Sequence, residues 1–211
     1  ERGMTRELDA IIAIGIFTDE EIDEMIFSSP NIIFLNNNQS DTMFDRMFID
    51  YDTPVKKCFD YLKENGAKRI AFLNGINEEN GIKIGYRRTE GVRSVMKEEG
   101  VYNEDLFLLG DLTDLSGKEM MKKALSLGAD AVVLGTQLIE NGVLEEYEKS
   151  ERKPILILRR DIDLDYKKTK FPVVRMCSEQ LWEITNLLIY SRLKRPAPPL
   201  KVYIQATFEV V

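Results

Sequence analysis

Short runs of consecutive apolar residues alternate with amphipathic stretches along most of the chain. Leu8 to Gly15 (LDAIIAIG), Asn31 to Asn36 (NIIFLN) and Met47 to Tyr51 come first, followed by Ile70 to Leu73, Leu106 to Asp111 (LFLLGD), Ala131 to Gly135 and Ile155 to Leu158. Apolar runs that do not alternate with polar residues read as strands buried on both faces, the mark of a parallel sheet covered by helices. Helical signals lie between them. Thr18 to Glu21 is a capping-box-like start for a helix carrying Ile22 and Met25 to Phe27, which Pro30 closes. Val55, Phe59 and Leu62 fall at helical spacing, and Gly66 stops that helix. A further helix runs from Arg87 to Glu99. Another is capped by Ser116 and carries Met120, Met121, Ala124 and Leu125, and a last one spans Ile139 to Tyr147. From Thr53 onward the chain therefore reads as helix-then-strand units, an α/β fold.

Past Asp161 the rhythm breaks. A charged stretch to Lys170 precedes Phe171-Pro172-Val173-Val174, and a long apolar helix over 178–193 ends at Pro196, Pro198 and Pro199. In that helix Leu181, Ile184 and Leu188 share one face while Trp182 and Ile189 share another, so it is expected to have two neighbours. Lys201 to Val211 alternates polar and apolar residues and reads as a final strand at a sheet edge. In an open α/β sheet ligands sit just beyond the carboxyl ends of strands, where the glycine- and asparagine-rich segment from Asn74 to Tyr86 falls. Arg87 and Arg88 open the next helix. A cation in a helix's first turn meets the unfavourable end of the macrodipole, so Arg88 needs a partner, whether a ligand or Glu90 or Glu98. Arg159 and Arg160 lie at the same edge of the sheet, with Asp161 and Asp163 as their local partners.

Composition narrows the function classes. A hydrophobic fraction of 44% and a charged fraction of 31% describe a globular chain able to bury a core. A net charge of −7, with no basic run, excludes nucleic-acid binding by this polypeptide on its own. No apolar stretch approaches the roughly 20 residues of a membrane span, and no secretion signal opens the sequence, so a cytoplasmic protein is expected. Cys58 and Cys177 read as two buried thiols. The chain has no histidine, which removes the commonest general base and zinc ligand. Asp161, Asp163 and Asp165 alternate like the start of a calcium loop but lack its glycine and closing glutamate. Phosphate-loop and dinucleotide glycine patterns are absent, and no serine or threonine has an activating base. A non-enzymatic protein without cofactor or metal is expected.

The order of LDAIIAIG, IIFLN, GAKRIAFLNG, the RxxG helix from Arg88, LLGD, IxNGVL, a strand ending in RD, FPVVRMCSEQLW and PPLKVYIQATF resembles the lactose- and galactose-repressor family, with closest likeness to regulators of the evolved beta-galactosidase repressor type. The resemblance implies a two-lobed fold like a periplasmic sugar-binding protein, each lobe a doubly wound parallel sheet, with the first lobe incomplete. Residues 1–49 and 172–195 would form the first lobe, and residues 50–171 and 196–211 the second. It implies a homodimer in which a sugar-like effector between the lobes controls operator binding by a separate headpiece lying before the first residue. Arg88 matches the arginine that binds sugar hydroxyls in that family.

Other matched positions depart from the pattern. Thr136 and Gln137 stand where an Asn-Asp pair is usual, Arg160 and Asp161 where an Asp-Asp pair is usual, and Leu112 where an aromatic ring stacks on the sugar. Losing acids while gaining Arg160 tilts the pocket positive, so an unusual or anionic effector is expected. Two rivals stay open. A transporter's periplasmic-type sugar-binding protein would share the fold, and an enzyme would need a catalytic group that the sequence does not display.

Overall fold

The computed structural model describes residues 8–35, 43–79, 82–160 and 169–210. The elements begin with strand β1 (Ile11–Ile14), helix α1 (Asp19–Ser28), β2 (Ile32–Leu35), β3 (Asp45–Asp50), α2 (Asp52–Glu64) and β4 (Ile70–Gly75). A hairpin of β5 (Asn77–Glu79) and β6 (Ile82–Ile84) precedes α3 (Tyr86–Glu98), β7 (Phe107–Gly110) and α4 (Asp114–Ser126). Then come β8 (Ala131–Leu134), α5 (Glu140–Lys149), β9 (Ile155–Arg160), β10 (Val173–Arg175), α6 (Ser178–Lys194), β11 (Lys201–Gln205) and β12 (Thr207–Glu209). The chain forms two compact units: one runs to Asp50 and takes in Cys177–Gln205, and the other comprises Tyr51–Met176 and the residues from Ala206 on.

The first unit is a parallel sheet in the order β1-β2-β3-β11. Every residue of β2, IIFL, is buried, as a central strand covered on both faces requires. Thr18 and Glu21 close the capping box that starts α1, whose Ile22 packs on Ala13, Ile32 and Phe34. Helix α6 buries Leu181, Thr185 and Leu188, while Trp182, Leu187 and Tyr190 are exposed. Its far end is tied to β3: the Arg192 guanidinium donates to Asp45 Oδ2 at 2.6 Å and to Oδ1 at 2.7 Å.

The second unit is a sheet in the order β12-β10-β9-β8-β4-β7, parallel except for β12 against β10. Alternate residues of its strands feed two cores. Val55, Phe59 and Leu62 of α2 and Val92, Val95 and Met96 of α3 cover one face with Phe72, Val133 and Ile157. Met120, Met121 and Ala124 of α4 and Val143 of α5 cover the other with Leu73, Val132, Leu134 and Leu156. Helices thus cover both faces of the sheet, as the apolar runs predict, in the doubly wound arrangement that the resemblance implies.

Several boundaries differ from the sequence reading. The final strand is two: Ala206 is buried between them, β11 joins β3 in parallel, and β12 runs antiparallel to β10. Residues Lys201–Gln205 thus belong to the first unit and not the second, because alternation shows that a segment is extended without showing which sheet it joins. Val173–Arg175, expected in the first unit, instead pairs with β9 in the second. The segment after β4 contains a hairpin. Helix α4 is capped by Thr113, whose hydroxyl accepts from Ser116 N, while the Ser116 hydroxyl accepts from Asp111 N at 2.9 Å. Cys58 is fully buried, which pushes its thiol well above the usual range, but Cys177 is only partly covered. The acidic run Asp161, Asp163 and Asp165 lies outside the described residues.

Candidate functional site

Strand order and chain order together locate the candidate site. In sequence β4 is followed by β7, β8 and β9, yet in the sheet β4 lies between β7 and β8. The helix after β4 covers one face and the helix after β8 covers the other. The carboxyl ends of β4 and β8 therefore flank the point where connections diverge, which in open parallel sheets is where ligands bind.

Arg88 reaches this point from the first turn of α3. Its Nη1 donates to Gly135 O, just past β8, at 2.9 Å. Glu90 pairs with Arg93, and Glu98 accepts from Ser94. The start of α3 is fixed by its neighbours. Gly85 adopts φ +82° as the N-cap, and a Cβ there would lie 2.5 Å from Gly75 O, so both conformation and space call for glycine. Asn74, the fifth residue of β4 and wholly buried, donates from Nδ2 to Thr89 Oγ1 at 2.8 Å, and Thr89 donates on to Gly85 O at 2.9 Å. This chain of bonds fastens the α3 N-terminus to β4. Asn74 Oδ1 has no hydrogen-bond partner among the described residues and sits against Gly135, where a Cβ would approach to 2.5 Å.

The segment after β8 contributes three more groups. Thr136 is buried and its hydroxyl accepts from Leu138 N at 3.3 Å, starting a short 3-10 turn. Gln137 is exposed. Glu140, the first residue of α5, binds Arg160, the last residue of β9. Arg160 Nη2 donates to Glu140 Oε1 at 2.8 Å, Nη1 donates to Oε2, and Nη1 also reaches Arg159 O at 3.1 Å. The positive tilt expected from Arg160 is thus offset by a carboxylate twenty residues away in sequence. Arg159, on the opposite face of β9, is 1% exposed and lies over the Tyr51 ring at 3.7 Å. Leu112 is half-buried and packs where a Cβ on Gly75 would meet it, at 2.6 Å.

Of the six residues expected at a ligand site, Arg88 and Thr136 converge at the β4–β8 divergence, and Arg160 sits at the adjoining strand end. Gln137 follows Thr136 at the surface, Leu112 backs the β4 terminus, and Asp161 lies outside the described residues. Sequence reasoning named Asn74 only as the start of the candidate ligand segment and passed over Glu140. Asn74 carried a signal, as a polar residue closing an apolar strand; Glu140 carried none, because its meaning depends on Arg160. A depression of about 570 Å³ along the β7 edge, lined by Phe107, Leu109, Asp111, Ser116 and Glu119, includes none of the six.

No protein-family model matches the chain. It is 24% identical over 216 residues to the HTH-type transcriptional repressor MelR of Bacillus subtilis (strain 168), covering 97% of this chain and 63% of MelR. It is 24% identical over 149 residues to the HTH-type transcriptional regulator GalR of Streptococcus thermophilus, covering 68% of this chain and 45% of GalR. The chain therefore spans less than two thirds of these relatives. Among solved structures it is similar to a LacI family transcriptional regulator from Arthrobacter sp. FB24 in complex with lactose, with a TM-score of 0.78, 16% identity and coverage of 97% of this chain and 78% of that one. It is also similar to the transcriptional regulator CelR–cellobiose complex, with a TM-score of 0.74, 19% identity and coverage of 97% and 65%.

Proposed function

From its homology to transcription regulators of the lactose- and galactose-repressor family, we propose that the chain is the effector-binding part of a bacterial transcriptional repressor. It takes a small sugar-like ligand at the carboxyl edge of β4 and β8. The observation that carries this reading is the convergence of Arg88, Gly135 and Thr136 at the divergence point of the second unit's sheet. A guanidinium anchored to a backbone carbonyl is a preorganised donor for hydroxyl oxygens. Arg160 does not oppose a neutral ligand, since Glu140 pairs it.

In the whole protein, effector binding alters operator affinity by favouring one conformation over another, and the effect cannot exceed the difference in affinity between the two. Operator contacts belong to a DNA-binding segment, consistent with this chain's net charge of −7. The repressor acts as a homodimer in the cytoplasm, and no catalysis is involved. Among the described residues no helix is long and apolar enough to cross a membrane.

Calorimetric titration with lactose, cellobiose, galactose and ribose tests the proposal, with Arg88→Ala as the comparison. At least one neutral sugar should bind. Loss of one charge-assisted hydrogen bond, worth about 1.5–3 kcal/mol, should weaken it by roughly 10- to 150-fold in Arg88→Ala. Equal affinity in both proteins would remove Arg88 from the site, and no binding by any sugar would overturn the reading.

A further inference from the structure

Helix α6 has two apolar faces, and only one of them is used by the first unit. Leu181, Thr185 and Leu188 are buried, whereas Glu179, Trp182, Glu183, Asn186, Tyr190 and Leu193 are exposed and follow one another at spacings of three and four residues. They therefore lie along one side of the helix. Trp182 is 40% exposed, Tyr190 60% and Leu193 50%, which makes a contiguous stripe of large apolar side chains. Such a stripe marks an interaction surface, and tryptophan and tyrosine are the usual anchors of one.

The pattern of the stripe says what covers it. Glu179, Asn186 and Leu193 recur every seven residues, as do Glu183 and Tyr190, and a seven-residue repeat is what two helices share when they pack side by side. A lone polar residue such as Asn186 on that seam fixes the register. Charge fixes the direction. Glu179 stands in the first turn, while Lys194 ends the helix and Arg195 is its C-cap. A parallel second helix would set Glu179 against Glu179 and Lys194 against Lys194. An antiparallel one with Asn186 on a two-fold axis sets Trp182 against Tyr190 of the second copy, and Glu179 against Lys194. Each contact then occurs twice, as an isologous interface requires, and the helix dipoles oppose.

We propose that the outer face of α6 is a homodimer interface, in which α6 pairs antiparallel with α6 of a second copy about an axis at Asn186. This rests on the homodimer reading given above and supplies its surface.

Sedimentation of the 211-residue chain tests the pairing. The wild type should dimerise in the micromolar range. W182A should weaken dimerisation at least roughly thirtyfold, as loss of an interface anchor does. E179K and K194E, each placing like charges together twice, should weaken it about tenfold, and E179K/K194E should return to within about threefold of the wild type. In a C177S background, which removes the partly covered native thiol, N186C should cross-link to itself under mild oxidation and Q180C, off the stripe, should not. These are exposed positions, and circular dichroism on each variant separates lost pairing from lost folding; if W182A unfolds, the charge and cysteine variants carry the test. A wild type that stays monomeric overturns both this interface and the homodimer reading, and leaves the stripe to a different protein. A dimer that W182A, E179K and K194E leave intact, or an N186C that does not cross-link, removes α6 from the interface while the homodimer reading stands. Weakening by both charge variants without recovery in E179K/K194E refutes the antiparallel register.

Discussion

Asp45 offers a direct test of how the first unit is held together. Its carboxylate opens β3, is 3% exposed, and accepts three hydrogen bonds: from Arg192 Nε at 2.6 Å, from Arg192 Nη2 at 2.7 Å and from Leu200 N at 2.8 Å. The carboxylate therefore ties the end of α6 and the approach to β11 to the start of β3. Asp45→Ala leaves the Arg192 guanidinium, 11% exposed, without its counter-charge and strands the Leu200 amide. Breaking a buried pair from one side costs about 3–5 kcal/mol, because the remaining charge is buried without compensation. Trp182 is the only tryptophan and lies on α6, so its fluorescence reports unfolding of this unit. With an m-value of about 2 kcal/mol/M in urea, the midpoint should fall by roughly 1.5–2.5 M. Asp45→Ala/Arg192→Met should recover much of the loss, since an apolar replacement of the whole pair leaves no orphaned charge. A midpoint for Asp45→Ala within about 0.3 M of the wild type would refute the reasoning, because that lies inside the error of extrapolation.

Two further outcomes follow from packing and charge. A Cβ on Gly142 of α5 would lie 1.7 Å from Asp114 O and 2.9 Å from Lys118 N, which are backbone atoms of α4 that cannot swing aside. Gly142→Ala should therefore cost at least the upper end of the 1–3 kcal/mol typical of overpacking, about 3 kcal/mol, read as a lowered Tm by circular dichroism. Gly91→Ala in α3 meets only Asp52 Oδ1 at 3.6 Å and should instead stabilise, by up to about 1 kcal/mol of helix propensity. Hydrogen bonds from Lys118 and Lys149 hold the Glu145 carboxyl down at about 2, and Lys149 and Lys63 lower Glu146 and Glu99. These folded-state values lie below the ordinary 4.5, so their stabilisation is complete above pH 4.5 and is lost as pH falls through that value toward 2. An acid titration of ellipticity should show the loss in that window. The Glu145–Lys149 pair is exposed, so 0.5 M salt should weaken its share of the loss by screening, and a profile insensitive to salt would contradict the assignment.

The apolar runs revealed the central strands because burial on both faces leaves a mark at each position, as IIFL of β2 and AVVL of β8 show. Three-residue β10 left no such mark beside Pro172, and its pairing with β9, the strand expected at Ile155 to Leu158, became visible only in the structure. The pairing of β5 with β6 was passed over by an expectation of a loop, although the sequence there carries Asn-Gly, a strong hairpin signal. Ser116 and Thr113 are equally good caps by chemistry, so the choice between them rested on backbone position alone. At the site, Arg88 was legible because a cation in a helix's first turn is locally costly. Arg160 was legible as a charge yet misleading as a field, because the neutralising group begins a helix twenty residues earlier.

That contrast bears on how this sheet edge could discriminate ligands. Arg88 donates to a carbonyl, and the Asn74–Thr89–Gly85 chain fixes the helix from which it projects. A guanidinium positioned in this way donates strong hydrogen bonds to hydroxyl oxygens. Arg160 is oriented by a carboxylate and its charge is cancelled where it stands. Gly135 O thus positions Arg88 as a donor, whereas the Glu140 carboxylate makes Arg160 a brace between α5 and β9.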